Sequence, residues 1–98
     1  MLTDEKIHRV GELTAELIEL ALNDPLRTTI NADCYLADTR DRAHAIGQEL
    51  NELGSFDVML MVHDAVRAVL MLRMDAMSAG GFARGLELNW DGIGSWRG

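Results

Sequence analysis

Two Glu-x-x-Glu spacings carry the residues best suited to chemistry, Glu16-Leu-Ile-Glu19 and Glu49-Leu-Asn-Glu52. Carboxylates three apart on facing helices can hold Mg²⁺ or Mn²⁺. Helical geometry opposes convergence. Glu16 and Glu19 fall about 120–180° from the centre of their helix's apolar stripe, Glu52 about 140° from its own, and only Glu49 flanks buried surface. The set therefore reads first as a solvated acidic face. His8, His44 and His63 sit on three separate helices, far from any ligand spacing. His44 lies opposite its helix's apolar stripe. His63 stands beside Asp64 and one turn from Arg67, where a hydrogen-bonded structural or interface role is expected before general base catalysis. Cys34 has no cysteine partner and reads as a small buried hydrophobe. There is no Gly-x-Ser-x-Gly, phosphate loop or dinucleotide fingerprint, and Gly92-Ile93-Gly94 lacks the strand and following helix of a phosphate cradle.

The elements that must position these groups are helices. Thr3, followed by Asp4 and Glu5, reads as an N-cap with acids in the first turn. Apolar residues from Ile7 to Ala21 then recur at helical spacing until Asn23-Asp24-Pro25 stops the run, which predicts a helix over 3–22. Residues 26–38 show no sustained period and read as a loop, with room for one turn opened by Asp24 and Pro25. A cap at Asp38-Thr39 and the stripe Ala43, Ile46, Gly47, Leu50, Leu53 predict a second helix over 39–53, ended by Gly54 in the left-handed conformation. Ser55 can cap a third at once, so 39–53 and 56–78 are expected to form an antiparallel hairpin. Gly80-Gly81 is expected to break the chain before a short fourth helix, 82–90, and a tail, 91–98. The predicted architecture is all-α, one domain over 1–98, a compact bundle of about four helices with the long third helix central or at a dimer interface.

The third helix is the informative one. Its polar residues Asp57, His63, Asp64, Arg67 and Asp75 occupy roughly a third of the circumference, and apolar residues fill most of the rest. So wide an apolar arc exceeds what one neighbour covers. A second copy is the expected occupant, with Met59, Val62, Val66, Val69, Met74 and Met77 at the contact. The competing arrangement wraps this helix with the other three. Five of the six methionines lie here, and flexible thioethers suit a protein or apolar ligand as well as a core. Trp90 and Trp96 are costly to leave in water, so the tail is expected to dock, within its own subunit or across to a partner.

Composition narrows the classes. The 98 residues carry 16 acids and 9 bases, net charge −7, so there is no cationic surface for phosphate backbones or anionic lipid, and neither nucleic acid nor membrane is an expected partner. Charged residues interrupt every long apolar run. With 48% hydrophobic residues, one Pro and one Cys, the chain reads as globular, in a reducing compartment. Met1-Leu2 running into Asp4 and Glu5 shows no leader pattern, so the cytoplasm is expected.

The Glu-x-x-Glu pairs resemble the acidic clusters of the all-α, MazG-type nucleotide pyrophosphohydrolases. That resemblance implies Mg²⁺ or Mn²⁺ at Glu16, Glu19, Glu49 and Glu52, although the adjacent glutamates that open the family motif are missing. Separately, Ala-Ile-Gly-Gln-Glu-Leu-Asn-Glu-Leu-Gly over 45–54, Phe56-Asp57-Val58-Met59, and the W-x-G-I-G-x-W pattern from Trp90 to Trp96 resemble small bacterial proteins found in environmental sequence and mobile gene cassettes. That second resemblance carries no activity, cofactor or catalytic residue. The leading expectation is a non-enzymatic, homodimeric helical interaction module without a cofactor. The metal-dependent hydrolase is the alternative, and a third is an acidic face, Glu5, Glu12, Glu16 and Glu19, that occupies a basic partner.

Overall fold

A computed structural model of the chain describes residues 3–23 and 37–96. The described residues are all-helical and compact, in three elements rather than the expected four: α1 (Asp4–Asn23), α2 (Ala37–Arg73) and α3 (Ala76–Asn89). The expected turn at Asp24-Pro25 and Cys34 lie outside the described residues.

α1 begins where its cap chemistry dictates. Thr3 Oγ1 accepts from the Lys6 N–H at 3.3 Å, satisfying one of the donors that a helix start leaves open, and Asp4 and Glu5 face the positive end of the helix dipole. Val10, Leu13, Leu17 and Ala21 are its buried residues, spaced three and four apart as a single buried stripe requires.

The expected helices over 39–53 and 56–78 form one element, α2, broken by non-helical backbone at Gly54 (φ −164°, ψ 20°) and Ser55 (φ 62°, ψ −155°). Gly54 does not take the left-handed conformation expected of it. Ser55 does the turning, in a region of backbone space that favours glycine. A straight helix of 37 residues would span about 55 Å at 1.5 Å per residue, whereas the molecule's longest extent is 39 Å. The break therefore folds the limb after Ser55 back. His44 before it and His63 after it both meet the last two turns of α3.

The expected break at Gly80-Gly81 is also corrected. α2 ends at Arg73 and α3 starts at Ala76, so both glycines lie inside α3. Asp75 explains the shift. Its carboxylate accepts from the Ser78 N–H at 2.8 Å and from the Ser78 hydroxyl at 2.9 Å, which closes an N-cap. That chemistry outweighs the weak helix propensity of the glycines downstream. The same hydrogen bonds, first the backbone one from Ser78, hold the Asp75 carboxyl below its ordinary pKa.

The core joins all these segments. Ala43, Ile46 and Leu50 contribute before the break, and Val58, Met59, Val62, Val66 and Leu70 after it. Ala79, Phe82, Leu86 and Trp90 close it from α3, with Ile93 and Trp96 from the tail.

Candidate functional site

The two pairs of glutamates do not converge. Arg9 donates to Glu49 through two nitrogens, Nε to Oε2 at 2.5 Å and Nη2 to Oε1 at 3.0 Å. Arg42 grips Glu16 in the same two-pronged way, with Nη2 2.7 Å from Oε1. Each helix thus gives one acid and one base to a reciprocal clasp between α1 and the first limb of α2. The arginine hydrogen bonds hold both glutamates below their ordinary pKa and raise both arginines. Glu19 and Glu52 are exposed. Among the described residues no group of three or more His, Cys, Asp or Glu side chains is placed to hold a metal ion. A signal for the clasp was available: Arg9 and Glu16 are seven apart, as are Arg42 and Glu49. Equal spacing in antiparallel helices lets both pairs close.

The tail closes back on its own chain. Trp90 Nε1 donates to the Ala43 carbonyl at 2.9 Å and Trp96 Nε1 to the Glu87 carbonyl at 2.9 Å. The indoles meet edge to face with centroids 5.3 Å apart, an arrangement aromatic quadrupoles favour. Gly92 (φ 89°) and Gly94 (φ 56°) supply the left-handed backbone that brings rings six residues apart into contact, and Ile93 is buried between them in sequence. Gly47 is needed for close approach, because a Cβ there would stand 2.5 Å from the Trp90 ring. The W-x-G-I-G-x-W pattern is accordingly a clasp on the fold.

His63, expected on a polar arc, is buried. Its Nδ1 lies 3.1 Å from Asp64 Oδ1, its Nε2 3.2 Å from the Ala83 carbonyl oxygen and 4.0 Å from Glu87 Oε2, and its ring stands 5.7 Å from Trp96. It ties the second limb of α2 to α3. His44, expected to face away from the core, meets α3 instead: Nδ1 lies 3.0 Å from the Asn89 carbonyl oxygen and 3.2 Å from Asn89 Oδ1. Both are acceptors, so Nδ1 is the donor in these contacts. Beside it an open polar groove of about 530 Å³ includes Gln48, Asn51, Glu52 and Asp91 in its walls. The groove offers acceptors and carboxylates to solvent.

The residues expected at an interface divide. Met59, Val62, Val66, Trp90 and Trp96 are enclosed by the chain's own segments, and Met74 packs partly buried against them. Val69 is half-buried, and Met77 is 76% exposed. The apolar surface left open lies one stripe round the same limb. Met61 is 51% and Leu72 87% exposed, Ala65 and Ala68 between them are exposed, and Leu60 (40%) and Met71 (43%) flank the stripe. The wide arc on which the expectation rested also included Met61 and Leu72, but enclosure by α3 and the tail decided which side of it remained open.

No helix among the described residues is long and apolar enough to cross a membrane. Comparison with known proteins finds no matching family model, no matching curated protein and no matching solved structure.

Proposed function

We propose that this protein is a non-enzymatic helical interaction module whose partner is a second copy of itself. One observation carries the reading: Met61, Ala65, Ala68 and Leu72 form an exposed stripe with steps of four, three and four residues. That is the seam spacing of two helices packing along their length. Surface helices of a monomer ordinarily turn charge outward, and here the stripe itself carries none, with Asp57, Asp64 and Arg67 beside it.

Magnitudes set the strength. Leu60, Met61, Met71 and Leu72 together leave the equivalent of about two whole side chains in water per chain, or about four per pair. At about 1.5–3 kcal/mol for each fully buried Leu or Met, association gains on the order of 6–12 kcal/mol against an entropic cost of about 4–15 kcal/mol. The gain exceeds the cost by at most about 8 kcal/mol, a dissociation constant of about 1 μM, so the expected dimer is weak and reversible and each subunit keeps its own core.

Sedimentation equilibrium tests the proposal. The protein is expected to pass from monomer to dimer between about 1 and 100 μM, and Leu72→Glu is expected to weaken association at least tenfold while leaving the unfolding midpoint of the dilute protein unchanged. A species that stays monomeric to several hundred micromolar removes the reading.

A further inference from the structure

Resting on that self-association, we infer that the two copies meet antiparallel, about a twofold axis that passes between Val66 and Arg67. The sequence of the stripe is symmetric about that point. Met61 and Leu72 are equidistant from it, as are Ala65 and Ala68, so antiparallel packing sets Met61 against the partner's Leu72 and Ala65 against the partner's Ala68. The bulky layers fall at the ends and the small ones at the crossing, where backbones must approach most closely.

Size alone permits parallel packing too, because it gives the same order of large and small layers. Charge separates the two. A twofold axis of the antiparallel kind brings the same flank of both helices together, the flank bearing Leu60, Asp64, Arg67 and Met71. Asp64 then lies about 3 Å along the axis from the partner's Arg67, and Leu60 the same distance from the partner's Met71. Both Asp64 and Arg67 are exposed, and among the described residues Asp64 is engaged by His63, through Oδ1. Parallel packing would instead press the Asp64 flank against the one bearing Val62 and Val69, and the cation on that flank, Arg73, is nine residues further along than Asp64. Antiparallel helix dipoles add to the preference.

The test uses the whole chain with Cys34→Ser. Met61→Cys and Leu72→Cys variants, one carrying a mass tag, are mixed above the dissociation constant and oxidised. The expected product joins position 61 of one chain to position 72 of the other, at least tenfold in excess over same-position links, because like positions lie about 16 Å apart along the axis. Arg67→Glu is expected to weaken the native dimer at least fivefold, and Asp64→Arg with Arg67→Glu to restore it. Predominant 61–61 and 72–72 links, or failure of the charge swap to restore association, overturns the antiparallel register while self-association stands. Absence of dimer in the unmodified chain overturns both.

Discussion

Before Gly54, α2 is flanked by α1 through the Arg9–Glu49 and Arg42–Glu16 pairs and by Trp90 resting on Gly47. After Ser55, its buried side faces the common core and α3, while Met61, Ala65, Ala68 and Leu72 face water. The two limbs are parts of one helical element with apolar residues at helical spacing, yet one is covered on several sides and the other on fewer. Covered faces can use paired charges as clasps, since a partner stands at a fixed distance. A face with no partner among the described residues carries apolar groups that gain when another molecule arrives.

Substitutions along the two limbs can break that contrast. Trp90→Ala is expected to have the largest effect, about 3–5 kcal/mol from the cavity it leaves, read from urea unfolding. Leu72→Ala in dilute solution is expected to stay within about 0.5 kcal/mol, and equal costs at the two positions would erase the distinction between covered and open limb. At the joint itself, Ser55→Gly removes backbone strain of about 1–3 kcal/mol but adds unfolded-state freedom of about 0.5–1 kcal/mol. A net stabilisation of about 1 kcal/mol is expected, and a loss would mean that Ser55 does not make the turn.

Gly80→Ala sharpens the account of what covers the second limb. A Cβ there meets nothing within 4 Å, so continuous helix through Gly80 predicts a gain of about 0.5–1 kcal/mol. Destabilisation would return the break to Gly80-Gly81. The smallest effect belongs to the clasp on the first limb. Because Arg42 and Arg9 lower the Glu16 and Glu49 pKa values in the folded state, their stabilisation is complete above the ordinary glutamate range. It is lost as pH falls through the lowered values. Both pairs are partly solvated, so a double-mutant cycle on Arg42 and Glu16 is expected to give about 0.2–1 kcal/mol at pH 7, disappearing in strong acid. Coupling that persists at pH 2 would contradict the ion-pair origin.

Much of the fold was legible because helix signals are local. The Thr3 cap, the stripe from Val10 to Ala21 and the chain reversal near Gly54 follow from residue type and spacing. The misplaced boundary at Gly80-Gly81 shows where such reading weakens: glycine lowers helix propensity only modestly, while Asp75 and Ser78 close a specific cap. The acidic pairs were legible as residues but not as a site, because their fate depended on Arg9 and Arg42, each distant in sequence from the glutamate it holds. The tryptophans were legible as groups that must dock. Which surface they cover depended on two left-handed glycines and on the missing side chain of Gly47.

The sequence by itself determined an acidic, all-helical chain with more apolar circumference after Ser55 than one neighbour covers, since charge and periodicity are properties of residues in order. Only the tertiary structure decided that the expected contact residues Met59, Val62 and Val66 go inward and that Met61, Ala65, Ala68 and Leu72 stay open. A helix exposes every direction around its axis until other segments pack on it, and where α3 and the tail pack is fixed by long-range contacts that no local pattern encodes.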